Sequence, residues 1–179
     1  DRRESSIYIM NADGSRPRRL LNGGSPIWSP DGTRIAYTAT GEPSGSQIFV
    51  RYMDAEGAVT QATRLTSAPG NIRWSPDGKS IAFSAQTGGV TDLHVYDLTT
   101  KQARRLTNDA FADLQPTWSP DGRQIAFVTE RFRGTLSTLD FKGVSLAMVD
   151  VATGTVQPID TGLAPGREID PKWSADGRT

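Results

Sequence analysis

An internal repeat constrains this chain more than any other feature. The string Trp-Ser-Pro-Asp-Gly begins at Trp28, Trp74 and Trp118, and a near copy, Trp-Ser-Ala-Asp-Gly, begins at Trp173, so successive spacings are 46, 44 and 55 residues. A period of about 40 to 45 residues belongs to helical HEAT-type pairs or to propeller blades, and local chemistry separates the two. After each Gly comes a short alternating run: Arg34-Ile35-Ala36-Tyr37, Ser80-Ile81-Ala82-Phe83 and Gln124-Ile125-Ala126-Phe127. Branched and aromatic residues in alternation predict strands. Ser, Pro, Asp and Gly at successive positions suit a type I turn, because Pro presets φ and Asp tolerates the bridge region. Each Trp should therefore end one strand and each Ile start the next.

A third strand is predicted at Gln47-Ile48-Phe49-Val50-Arg51-Tyr52, Asp92-Leu93-His94-Val95-Tyr96 and Ser145-Leu146-Ala147-Met148-Val149. A short fourth follows at Thr63–Thr66, Arg104–Thr107 and Val156–Ile159. Four short antiparallel strands per repeat is the layout of a propeller blade. Helical periodicity is lacking, and the 11 prolines and 18 glycines recur at turn positions. The expected class is all-β: a β-propeller fragment of four-stranded antiparallel blades, with three complete repeats and partial blades at both ends. The expected boundaries are 1–27 for a partial blade and its leading loop, 28–73 and 74–117 for blades, 118–172 for a blade with an insertion, and 173–179 for the start of another. The first region carries third and fourth strands, Ile7–Met10 and Arg18–Leu20. The four Trp side chains should fill wedges between blades, and Asp31, Asp77, Asp121 and Asp176 should each serve its own turn.

The unit Trp-Ser-Pro-Asp-Gly-x-x-Ile-Ala-Phe, followed by Ile-Phe-Val or Leu-His-Val-Tyr-Asp-Leu and by Arg-Arg-Leu-Thr, resembles the repeat of TolB-like β-propellers over essentially the whole chain. No Trp-Asp dipeptide closes a blade, which departs from the WD repeat. The resemblance implies a non-catalytic protein-interaction propeller of the bacterial cell envelope, periplasmic or extracellular, similar to the TolB propeller of the Tol-Pal system. The same repeat occurs in propellers of prolyl oligopeptidase-like and tricorn-like serine peptidases, so a substrate-gating propeller whose catalytic domain lies elsewhere is the alternative.

Charge and composition narrow the chemistry. Twenty basic and twenty acidic residues give zero net charge, so no overall basic field draws the protein to nucleic acid or an anionic membrane. The absence of Cys and the single His exclude thiolate sites, cysteine nucleophiles and multi-histidine metal clusters. No cofactor or metal is expected. No apolar run approaches a membrane span, and the opening Asp-Arg-Arg-Glu-Ser-Ser lacks an initiator Met and a signal-peptide core, suggesting an excerpt of something longer. Gly-x-Ser-x-Gly does not occur, and Gly78-Lys79-Ser80 lacks the upstream Gly of a phosphate loop. His94 is expected as a half-exposed strand residue. Arg18, Arg19, Arg64, Arg104 and Arg105 are expected on solvated outer strands that discourage strand addition.

Irregularity in the repeat points to a site. From Trp to the first apolar residue of the third strand the count is 20, 19 and then 28, and the insertion runs from Glu130 to Lys142. The fourth-to-first connections also lengthen along the chain. Both loop types should emerge at one end of the blades, where binding residues gather on loops held by a rigid scaffold. A protein or peptide partner is therefore expected on the face bearing Arg131, Phe132, Arg133, Phe141, Asp113, Glu168 and Asp170. Further blades of the same full-length protein are the other expected partner. The segment itself should be an open arc that self-associates through exposed blade faces, because it has third and fourth strands at one end and a first strand with its turn at the other.

Overall fold

The computed structural model describes residues 5–54, 56–132, 134–135, 140–141, 143–162 and 170–178. All its regular elements are strands: β1 (Ser6–Ile9), β2 (Arg18–Asn22), β3 (Gly24–Trp28), β4 (Arg34–Thr40), β5 (Ser46–Tyr52), β6 (Val59–Gln61), β7 (Gly70–Trp74), β8 (Ser80–Thr87), β9 (Val90–Asp97), β10 (Gln102–Arg105), β11 (Asp113–Trp118), β12 (Gln124–Thr129), β13 (Gly134–Thr135), β14 (Asp140–Phe141), β15 (Ser145–Asp150) and β16 (Val156–Pro158). Residues Asp1–Ala68 and Pro69–Thr179 form two compact units.

In the first unit β1 and β2 pair as a two-stranded sheet, and β3-β4-β5-β6 form a four-stranded antiparallel sheet. Ile7 packs with Ile35 and Tyr37, and Leu20, Leu21, Ala39, Phe49 and Met53 surround them. In the second unit β7-β8-β9-β10 and β11-β12-β15-β16 are four-stranded antiparallel sheets, with the small hairpin β13-β14 inserted between β12 and β15. Ala82, Leu93, Val95 and Leu106 of the former share one core with Trp118, Ile125, Phe127, Ala147 and Val149 of the latter. The small Ala82 lets the two layers approach closely, as blade stacking requires.

The repeated turn recurs four times with the same Ser–Asp contact. In the second unit Gly78 N donates to Ser75 O at 2.9 Å, and Gly78 adopts φ 67°, a left-handed conformation that favours glycine. Ser75 Oγ donates to Asp77 Oδ1 at 2.6 Å and accepts from Ser80 N at 2.9 Å, while Lys79 N donates to the same Oδ1. Ser29 with Asp31, Ser119 with Asp121 and Ser174 with Asp176 repeat the side-chain contact. These serine hydroxyls and the following backbone amides hold all four carboxyls below the usual range.

Three expectations need correction. The fourth strands end earlier than predicted: β6 stops at Gln61 and β10 at Arg105. Beyond them one ladder acceptor is replaced by a side chain, since Ile48 N donates to Thr63 Oγ1 and Leu93 N to Thr107 Oγ1, at 2.9 and 3.0 Å, while Ala62 N and Leu106 N still donate to Ile48 O and Leu93 O. Trp74 and Trp118 are buried as expected, but Trp28 is 52% exposed. Trp118 Nε1 donates to Arg73 O and Trp173 Nε1 to Thr117 O, in each case a carbonyl of the preceding sheet's first strand. The sheet preceding β3 holds only β1 and β2, so that strand is missing under Trp28 among the described residues. The outer arginines are not all free: Arg105 pairs with Asp92 at 2.5 Å, and Arg104 donates to Val151 O.

Ser75→Ala leaves the Ser80 amide without its acceptor in a half-buried turn. It should lower unfolding free energy by about 1 to 3 kcal/mol in denaturant titration; an unchanged midpoint would contradict the turn's role.

Candidate functional site

The two lengthened connections of the second unit meet at the third sheet. Asp113 opens β11 directly opposite Thr129, the last residue of β12. Two residues on, Arg131 N donates to Thr129 Oγ1 at 3.2 Å, which turns the chain and sends the guanidinium back over β11. Arg131 Nη2 lies 3.0 Å from Asp113 Oδ2 and also pairs with Asp109, in the β10–β11 connection. Asp109 in turn accepts from Phe111 N at 2.9 Å, and Glu130 N donates to Ala112 O. One arginine, 16% exposed, thus ties both loops together. Beside it Phe132 is 40% exposed, the one large apolar side chain of the second unit so presented among the described residues.

Asp113 is fully buried, so it anchors Arg131 and does not itself offer a contact surface. Burial pushes its carboxyl up to about 6, against the opposing pull of the Thr129 and Thr107 hydroxyls and of Arg131. Asp170 is exposed and lies elsewhere: its carboxylate is 2.7 Å from Lys172 Nζ and 3.6 Å from Arg73 Nη2, and its amide donates to Gln115 Oε1. The Lys172 contact holds its carboxyl below the usual range. Arg133 and Glu168 fall outside the described residues. Phe141 lies in β14, its backbone paired with Gly134.

His94 departs from expectation. It is 7% exposed and stacks on Phe83, with ring centroids 5.3 Å apart, directly across the β8–β9 ladder. Burial lowers its pKa, with Asp92 pulling the other way. A second feature escaped the sequence reading. Ser25, Asn71, Gln115 and Asp170, each three residues before a repeat Trp, have φ between 49° and 54°, and the ladder shifts register at the first three. Asn and Asp there are mild signals for a left-handed residue, but Ser and Gln are not. Among the described residues no group of three or more His, Cys, Asp or Glu could hold a metal, and no helix is long and apolar enough to cross a membrane.

Comparison with known proteins follows the same architecture. Residues 1–179 match the family described as TolB beta propeller domain. The Tol-Pal system protein TolB of Anaeromyxobacter dehalogenans strain 2CP-C is 44% identical over 115 residues, which cover 62% of this chain and 26% of that protein. The chain spans about a quarter or less of the length of the first curated relatives it matches. The crystal structure of TolB from Acinetobacter baumannii superposes with a TM-score of 0.67 at 27% identity, covering 97% of this chain and 41% of that one. The tricorn protease, at 16% identity and a TM-score of 0.62 over 83% of this chain and 16% of its own, shares the fold.

Asp113 gives a signed pH dependence. Its folded pKa of about 6 lies above the ordinary 3.8, so the folded state binds more protons between these values. The stability this contributes is complete below about 4 and is lost as pH rises through 6, by about 1 to 3 kcal/mol. Asp113→Asn should flatten that fall when unfolding free energy is measured from pH 4.5 to 7.5; an undiminished slope would refute the assignment.

Proposed function

This chain belongs to the TolB β-propeller family, and on that footing we propose that it acts as a non-catalytic protein-interaction propeller of the bacterial cell envelope, working in the periplasm. Its partner is a protein or peptide that docks where the lengthened loops of the third sheet meet. The observation that supports this reading is the pairing of an immobilised arginine with an exposed aromatic: Arg131 is held by Asp109 and Asp113, and Phe132 next to it faces solvent. Rigid presentation of an aromatic lowers the entropy lost on docking, and aromatic and arginine residues dominate binding energy at protein interfaces. We assign Arg133, Phe141 and Glu168 to this surface from their places in the sequence, in the same insertion and the next connection, and leave Asp170 outside it. The tie through Arg131 supplies a reason for the two loops to be long together. The partner class follows the relatives' name: another component of a Tol-Pal system.

A Pal-type protein from the source bacterium, titrated calorimetrically, tests the reading. Phe132→Ala should weaken binding by about 1 to 3 kcal/mol and leave the unfolding transition in place. Peptidyl and ester reporters should not be turned over. Unaltered affinity, or cross-links that map to the turns at Asp31, Asp77, Asp121 and Asp176, would overturn it.

A further inference from the structure

Two carboxylates share one guanidinium where the lengthened loops meet. Arg131 Nη2 serves both Asp113 Oδ2 and Asp109 Oδ2, while Arg131 Nε is buried without a hydrogen-bond partner among the described residues. The pairing runs through a single nitrogen, not through the bidentate fork that holds a guanidinium most firmly. The three groups together carry one uncompensated negative charge. Asp109 can shed its share into water, since its side chain is 36% exposed, but Asp113 is fully buried and its Oδ1 has no partner among the described residues. Water cannot screen the excess there, so a proton on Asp113 is the simplest way to remove it.

The groups facing Asp113 leave it as the titrating member. Thr129 lies opposite it on β12, Ser145 lies opposite Thr129 on β15, and Thr107 reaches it from the end of the second sheet. All three carry only hydroxyls. The charged groups that act on Asp113 are Arg131, which favours the ionised form, and Asp109, which opposes it. Asp92 and His94 alternate along β9 with Leu93, whose side chain lies in the core shared with the third sheet, so they point the other way, and Arg105 pairs with Asp92. Glu130 stands between Thr129 and Arg131 in the chain, and its amide is tied to Ala112 O.

The two acids have different roles. Asp113 opens β11, so its pair with Arg131 attaches the β12–β13 loop to the sheet; Asp109 lies in the β10–β11 connection, so its pair attaches loop to loop. We propose that proton uptake by Asp113 switches the partner surface: ionised, it pins both loops to the third sheet and holds Phe132 for docking, and protonated, it releases them. The docking half rests on the reading of Phe132 as a partner contact.

Heteronuclear NMR of the Arg131 guanidinium against pH reads the attachment on the protein alone. Its Nη–H signals should be resolved at pH 7.5 and merge with a midpoint near 6 as pH falls. Asp113→Asn should give merged signals throughout, whereas Asp109→Asn should keep the transition and move its midpoint down, because it removes the charge that opposes ionisation. Should Asp113→Asn fail to fold by circular dichroism, the displacement in Asp109→Asn decides. Signals indifferent to pH, the same transition in Asp113→Asn, or an unmoved midpoint in Asp109→Asn would overturn the proposal. Affinity for the Pal-type protein should fall about 10-fold from pH 7.5 to 5, as the competent population shrinks. Asp113→Asn should abolish that fall, and an equal fall in the variant would also overturn the switch. Phe132→Ala separates the two ideas. Unchanged affinity at pH 7.5 with a guanidinium that still responds sinks the partner site and the docking half with it; weakened affinity with an unresponsive guanidinium sinks the switch alone.

Discussion

The structure of the second unit depends on the indoles of Trp118 and Trp173 reaching back to the sheet before each. Trp118 buries its ring in the shared core while its N–H donates to Arg73 O at 3.2 Å, and Trp173 does the same to Thr117 O at 3.1 Å. A buried indole contributes a large apolar area and also needs an acceptor for its donor. Using the neighbouring backbone carbonyl meets that need and fixes how far one sheet is offset from the next. Gly122 and Gly177 then sit against Pro76 and Pro120 of the preceding turns, where an added Cβ would lie 3.8 and 3.5 Å from the ring atoms. The turn sequence is thus read twice, once within its own hairpin and once by the following one.

This packing leaves the ends of the strands free to vary, and the variation is concentrated where β10 meets β11 and β12 meets β15. The buried Asp113 carries a desolvation cost that Arg131 and two threonine hydroxyls only partly offset. A residue of that kind contributes little to stability, and its effect is geometric: it fixes Arg131, and Arg131 fixes both loops. The proposed partner surface is the exposed side of that buried contact.

Much of this was legible in the sequence because the repeat is nearly exact where it governs backbone geometry. Trp-Ser-Pro-Asp-Gly located every first-to-second-strand turn, and the Ile-Ala-aromatic runs located β4, β8 and β12. The fourth strands end earlier than their sequence suggests because Thr63 and Thr107 look like strand residues, while their hydroxyls stand in for the backbone acceptor that a continuing strand would have supplied. His94 was read as half-exposed because alternation assigns it to the face opposite Leu93, and a sheet buried on both faces makes alternation silent about exposure. The loop residues Arg131 and Phe132 were found from counting alone. The burial of Asp113 was not, since an acid at the start of a strand usually marks a solvated edge.

The central claim is that the tryptophan bridge makes the second and third sheets one cooperative unit. Native-state hydrogen exchange on Trp118→Phe, which keeps an aromatic ring and removes the N–H donor, tests it most directly. Amides in β8, β9, β12 and β15 should lose protection together and by a similar factor. Loss confined to β11 and β12, with β8 and β9 as protected as before, would contradict it.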